Sequence, residues 1–236
     1  MYMAKKTIKP LKSPVSLSVI IPACNEAANL PVLLKSLDTD LALSTISYEI
    51  IVINDGSSDD SGKILKSYSR SAKFSVITNP VSIGKSLSVL SGYAIAKGSY
   101  IALIDADMSE CSDKFQSLFE FAQSGYAITE NSSPWYKKWF NSSLVRGPKI
   151  FPRYIFEHID ANNLNNWNIE SELIHTADNL SLTPGYISCR LPHRSRPKSL
   201  RTKTHRLLNN LKTKLRHLFT SPVYIQSPSS QDFMVG

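Results

Sequence analysis

Four short β-rich apolar runs, each ending in a polar or acidic loop, limit what this chain can fold into. The runs are Ser16–Ile21, Tyr48–Ile53, Phe74–Thr78 and the stretch from Tyr100 to Asp105. Between them lie stretches with helical spacing. Ala27–Leu37 repeats Leu30, Leu33, Leu34 and Leu37, a second stretch carries Ile64, Leu65 and Tyr68, and Ser86–Ala96 carries Leu87, Leu90, Tyr93 and Ala94. The β-α-β-α-β-α-β alternation predicts a parallel sheet between two helical layers. The carboxyl ends of all four strands then share one edge, where open α/β sheets bind ligands. Pro22 is expected to close the first strand, because it cannot donate to a ladder.

Further along, the spacing predicts a helix over Phe115–Ala122 and an extended-then-helical segment over Ile150–His158. Another helix is predicted over Ile169–Leu180, followed by a turn-like stretch over Pro184–Pro197. Past Gly125 the pattern weakens. Trp135, Tyr136, Lys137, Lys138, Trp139 and Phe140 form an aromatic and basic cluster. It suits a lid over a ligand site, an interface anchor or buried packing equally well.

Hydrophobic residues make up 42% of the 236, enough for a core. No apolar run reaches the roughly 18 residues a membrane-spanning helix needs, and no secretory leader is evident, so the expectation is a cytoplasmic chain. Cys24, Cys111 and Cys189 are too scattered for a zinc site or a disulfide framework.

The net charge of +8 is localised. Residues 179–236 hold ten Lys and Arg against one acid, Asp232, and the rest of the chain is close to neutral. Within that arm Leu207, Leu208, Leu211, Leu215, Leu218 and Phe219 form an apolar stripe flanked by Arg206, Lys212, Lys214 and Arg216. This is the pattern of a basic amphipathic helix on an anionic membrane surface. A helix packed on the folded domain is the competing reading. No nucleic-acid motif accompanies the charge, so no nucleic-acid partner is expected. The expected division is a basic tail over 1–14, an α/β domain over 15–200 and the basic helix with a loose tail over 201–236.

The fourth run ends in Asp105-Ala106-Asp107. Two carboxylates at the end of a buried strand suit a hard divalent cation held against phosphate oxygens. A solvated turn that caps the next helix is the plain alternative. Asn79-Pro80-Val81-Ser82-Ile83-Gly84-Lys85-Ser86 approaches a phosphate-binding P-loop, which would make the chain an NTPase. It lacks the first glycine, Pro80 stiffens it, and it leaves Asp55 and Asp107 without a role.

Pro22-Ala23-Cys24-Asn25-Glu26, Asn54-Asp55-Gly56-Ser57, Asn79 with Gly84-Lys85, and Asp105-Ala106-Asp107 close the four strands in order. In this order and spacing the chain resembles family 2 glycosyltransferases of the GT-A fold, nearest the dolichyl-phosphate mannose/glucose synthase-like group. The resemblance spans about residues 16–200 and is strongest up to Asp107. It implies an α/β, three-layer sandwich with a mostly parallel central sheet. It also implies an inverting, metal-dependent transfer of a sugar from a UDP- or GDP-linked donor to an acceptor such as a polyprenyl phosphate or membrane glycolipid.

The resemblance further implies roles for single residues. Pro22, Ala23 and Glu26 line the nucleotide pocket, Asp55 reads the base, and Lys85 lies near the nucleotide. Asp105 reaches the ribose or metal side, and Asp107 ligates Mn2+ or Mg2+ on the diphosphate. Glu172 aligns with the family's catalytic acid, with Glu170 as its rival. Residues two apart on a helix point in different directions, so only one of the two faces the cleft. Arg194, Arg196 and Lys198 match a basic element that meets diphosphate or lipid phosphate. The chain departs from the family pattern at Asn54, where an acid is usual, and at Ser109, where many relatives have Gln. It departs again at Arg146-Gly147-Pro148-Lys149, where Gly-Phe-Lys is usual. A binding module that has lost turnover is therefore the alternative to an enzyme.

Overall fold

The computed structural model describes residues 15–69, 71–131, 147–160 and 163–189. The basic tail, the aromatic cluster at 135–140, Arg194, Arg196, Lys198 and the stripe at 207–219 lie outside them.

A seven-stranded sheet forms the middle layer. Its strands are β1 (Leu17–Ala23), β2 (Tyr48–Asp55), β3 (Phe74–Asn79), β4 (Tyr100–Leu103), β5 (Gly125–Asn131), β6 (Lys149–Pro152) and β7 (Thr183–Cys189). The spatial order is β3-β2-β1-β4-β6-β5-β7, and only β6 runs antiparallel to its neighbours. The helices are α1 (Leu30–Ala42), α2 (Ser61–Tyr68), α3 (Lys85–Ile95), α4 (Phe115–Ala122), α5 (Tyr154–Glu157) and α6 (Ile169–Asn179), and a 3-10 turn spans Ser109–Lys114. Among the described residues no helix is long and apolar enough to cross a membrane.

Strand alternation sorts the core into two halves. Val19, Ile21, Ile50, Val52, Ala102 and Ile104 face one way and meet Leu33, Leu37, Leu65, Phe115 and Leu118 from α1, α2 and α4. Ile20, Ile51, Ile53, Ile101 and Leu103 face the other way and meet Val89, Ile155, Ile169, Leu173 and Ala177 from α3, α5 and α6. This is the three-layer α/β sandwich the sequence predicts. The same alternation fixes the site. Asp55 follows Ile53 by two residues and Asp105 follows Leu103 by two, so both carboxylates fall on the face that carries α3 and α6.

Three details differ from the expectation. The first strand runs on through Pro22, which pairs with Ile53 of β2. On its other side the backbone of β4 has already turned away after Ile104 N–H donates to Ile20 O, so no ladder bond is lost at Pro22. β5 was not foreseen. The predicted turn-like stretch is a strand over its first part: β7 starts at Thr183 and among the described residues pairs only with β5, so Pro184 sits near the start of an edge strand, where a proline is tolerated. Gly185 lets that strand lie against Phe121, since a Cβ there would come within 2.7 Å of its side chain.

Candidate active site

The loops after β1 and β2 are stitched together. Asn25 has a φ of +57° and turns its side-chain oxygen to the backbone N–H groups of Ser58 and Asp59. Ser57 and Ser61 hydroxyls accept from the N–H groups of Asn25 and Glu26, and Asp59 accepts from that of Ala27. Glu26 in turn accepts from the Asn29 side chain at 2.5 Å, and its carbonyl receives the N–H of Leu30 at the start of α1. Pro22 is half-buried and Ala23 buried beneath this rim. Asn54, standing where an acid is usual, is buried and accepts the N–H of Ser57 in the turn after β2.

Asp55 organises the loop that follows β3. Its carboxylate accepts four hydrogen bonds: from Asn79 Nδ2 and Ile83 N–H, both at 2.9 Å, from Ser82 Oγ at 2.8 Å and from Gly84 N–H at 3.0 Å. Burial pushes its carboxyl up, and the donors from Ile83, Asn79, Ser82 and Gly84 outweigh that, holding it below the usual carboxylate range. Gly56 next door has φ +64°, and a Cβ there would lie 2.3 Å from the Ser82 nitrogen. The loop at 79–84 therefore closes on the end of β2 and aims its amides at Asp55, whereas a P-loop aims them at a nucleotide phosphate. The P-loop reading is set aside on this geometry.

The end of β4 turns sharply, with Met108 N–H donating to Asp105 O. Ala106 and Met108 go into the core, which turns Asp105 and Asp107 toward the edge of the sheet, both half-buried. Lys85, the first residue of α3 and only 9% exposed, places its ammonium 2.5 Å from Asp105 Oδ1 and 3.2 Å from Glu170 Oε1. Lys149 of β6, 3% exposed in its side chain, reaches the same Glu170 oxygen at 2.8 Å and the Gly147 carbonyl at 3.1 Å. Asp105, Lys85, Glu170 and Lys149 thus form a row of alternating charge. Burial pushes the Glu170 carboxyl up, and Lys149 and then Lys85 more than offset it, so Glu170 is held below its ordinary value.

Glu172 is elsewhere. It is 3% exposed and accepts from Asn168 Nδ2 at 3.0 Å, inside the turn that starts α6. The structure brings Glu170, the rival candidate in the sequence reading, to Lys85. The physical reason is the rotation of α6. The buried stripe Ile169, Leu173, Ala177 puts Glu170 roughly 60° from its centre on one flank and Glu172 roughly 100° away on the other. Lys149 was missed as a site residue. Its signal was a lysine heading an apolar strand run, in phase with buried Phe151.

Among the described residues no group of three or more His, Cys, Asp or Glu gathers to hold a metal. Asp105 and Asp107 nonetheless suit one. Mg2+-like sites commonly use one or two carboxylates and leave the remaining positions to water and substrate phosphates. The Lys85 ammonium shows that the Asp105 carboxylate accepts a cation at this edge.

A family model described as glycosyl transferase family 2 matches residues 18–170. Undecaprenyl-phosphate 4-deoxy-4-formamido-L-arabinose transferase from Klebsiella pneumoniae is 33% identical over 124 residues, 52% of this chain and 37% of that protein. The Serratia proteamaculans protein of the same name is 28% identical over 139 residues, 56% of this chain and 41% of its own. The chain thus spans well under half the length of these relatives. Mannosyl-3-phosphoglycerate synthase from Rubrobacter xylanophilus superposes with a TM-score of 0.67 at 14% identity, covering 91% of this chain and 78% of its own. Glucosyl-3-phosphoglycerate synthase from Mycobacterium tuberculosis, crystallised with Mn2+, UDP-glucose and glycerol 3-phosphate, gives 0.66 at 16% identity, covering 89% and 82%. At such identities the likeness is one of fold.

Proposed function

The chain belongs to glycosyl transferase family 2, and on that footing we propose that it moves a sugar from a UDP- or GDP-linked donor to a polyprenyl phosphate. The observation that carries the reading is the row at the end of β4. Asp105 and Asp107 leave the sheet edge together, with Lys85 against the first of them and Glu170 on the same ammonium. The sugar relatives that act on undecaprenyl phosphate support the acceptor class, and the fold neighbour crystallised with Mn2+ and UDP-glucose supports the donor class.

Pro22, Ala23 and Glu26 line the nucleotide side of the cleft. Asp55 shapes the loop at 79–84 that borders the base. Asp105 and Asp107 hold Mn2+ or Mg2+ with the donor diphosphate. A bound divalent cation would neutralise charge that builds on the leaving diphosphate as the glycosidic bond breaks. An acceptor phosphate oxygen attacks the anomeric carbon in line, the bond to the nucleoside diphosphate breaks, and configuration inverts. A phosphate is already anionic, so no side chain has to take a proton from it, as a sugar hydroxyl would require. Glu170, held ionised between two ammonium groups, orients the donor sugar and offers Lys85 a second carboxylate. Arg194, Arg196 and Lys198 supply phosphate contacts, since guanidinium forks match phosphate geometry. The catalytic domain of residues 15–200 sits at the cytoplasmic membrane face through the basic stripe of 201–236.

The test is calorimetry of the full chain with UDP- and GDP-sugars, with and without Mn2+. Transfer of labelled sugar to undecaprenyl phosphate in detergent is then measured. Mn2+-dependent donor binding and lipid labelling are expected, and absence of binding to every donor overturns the reading. A binding module without turnover is the second reading, favoured by Ser109 opening a 3-10 turn in place of a stronger metal ligand. Donor binding without sugar release to any acceptor would select it.

A further inference from the structure

Lys85 is shared by two carboxylates, and Glu170 by two ammonium groups. The two ends of this row are not alike. Lys149 is the fixed end. It lies in β6 opposite Leu103 of β4 and ties also to the Gly147 carbonyl. The turn before it is pinned by Thr129, whose N–H and hydroxyl both donate to Pro148 O, at 3.1 Å and 2.7 Å. Asp105 is the end at the sheet edge. Lys85 lies between, on a flexible four-carbon stem.

We infer that Lys149 is a positioning residue that sets how firmly Lys85 holds Asp105, and so how readily Asp105 accepts a divalent cation. The inference rests on the reading of Asp105 and Asp107 as the metal carboxylates.

A cation arriving at Asp105 has to displace the Lys85 ammonium. The ammonium swings toward Glu170, already 3.2 Å away. How strongly Glu170 draws it depends on how much of that carboxylate's charge Lys149 has already neutralised. With Lys149 present, Glu170 is partly satisfied and Lys85 stays on Asp105. With the Lys149 charge removed, Glu170 has Lys85 as its nearest cation and draws it off. The sign is the useful part. Loss of a buried cation that merely supports the fold weakens ligand binding, plain loss of positive charge near the site strengthens it with or without Glu170, and loss of one that restrains Lys85 strengthens it only while Glu170 is present.

The experiment titrates Mn2+ into the full chain in the presence of UDP, and separately GDP, by calorimetry. Wild type is compared with Lys149→Met, Lys149→Arg, Glu170→Gln and the Lys149→Met/Glu170→Gln double variant, all below their unfolding temperatures. Lys149→Met is expected to tighten Mn2+ binding roughly three- to tenfold, and Glu170→Gln to weaken it by a similar factor. The double variant should behave like Glu170→Gln alone, because Lys149 acts through Glu170. Lys149→Arg keeps the charge and should bind as wild type does. Weaker or unchanged Mn2+ binding in Lys149→Met, or additive effects in the double variant, overturns the inference alone. If Lys149→Met fails to fold, the Glu170→Gln arm still decides: unchanged or tighter Mn2+ binding there overturns it. A wild-type chain that binds Mn2+ with neither nucleotide overturns the donor-site reading as well.

Discussion

The carboxylate of Asp55 accepts the backbone N–H of Gly84 at 3.0 Å, so the last residue of β2 holds the turn into α3. Gly84 itself has φ +92° and packs against Asn166, while Ser86 N–H donates to Asn166 O. One acid therefore couples the second strand, the third loop and the entry to the helix that carries Glu170.

Asp55→Asn replaces two acceptor oxygens by one and turns an N–H2 toward groups that also donate. We expect a loss of roughly 2–4 kcal/mol. Thermal unfolding and proteolysis within 79–84 read it. An unchanged midpoint would show that the four bonds do not hold the loop.

Gly56→Ala forces a Cβ to within 2.3 Å of the Ser82 nitrogen at a φ of +64°. The backbone has to shift, and a destabilisation of at least about 3 kcal/mol is expected. Gly62→Ala is the control, since its nearest neighbour is the Asn54 side chain at 3.3 Å. In helix α2 that change should lie within about 1 kcal/mol of neutral. Equal effects in denaturant melts would refute the distinction.

Acid should unfold the protein partly through Asp55 and Glu170. Both carboxyls are held below their ordinary range in the folded chain. Their contribution is therefore complete above the unfolded value of about 4 and is lost as pH falls through the lower folded values. Melting midpoints at successive pH values should drop below about pH 4, less steeply in Asp55→Asn and Glu170→Gln. Parallel curves for variants and wild type would contradict the assignment.

Asp107→Ala should abolish the Mn2+-dependent part of donor binding and spare the metal-independent part. Chelation of the wild type should reproduce it. Calorimetry with and without Mn2+ separates the two, and donor binding equal to wild type in Asp107→Ala would remove the metal role.

Glu170→Gln should lower turnover even at temperatures where the variant is fully folded, whereas Glu172→Gln should act mainly on stability through the Asn168 turn. Steady-state rates beside thermal melts decide it. The reverse pattern would restore Glu172 as the catalytic acid.

Much of the fold was readable because it rests on local pattern. The apolar runs, the leucine spacing of α1 and the prolines are short-range features, and all of α1 to α4 and β1 to β4 formed where the pattern put them, within a few residues. β5 and β7 were not readable. Gly125–Asn131 has few strand markers, and Pro184-Gly185 reads as a turn until β5 is there to pair with. The strand-end acids were legible for the same local reason, since alternation alone sends Asp55 and Asp105 to one face.

What the sequence by itself determined is the three-layer α/β plan, the order of polar loops along one sheet edge and the carboxylate pair at its centre. Tertiary structure decided which partners those groups have. The rotation of α6, set by packing Ile169, Leu173 and Ala177 on the sheet, placed Glu170 beside Lys85. The antiparallel return of β6 brought Lys149 to it from a distant part of the chain. Both outcomes depend on contacts between elements far apart in sequence, and no local pattern encodes the angle at which two such elements meet.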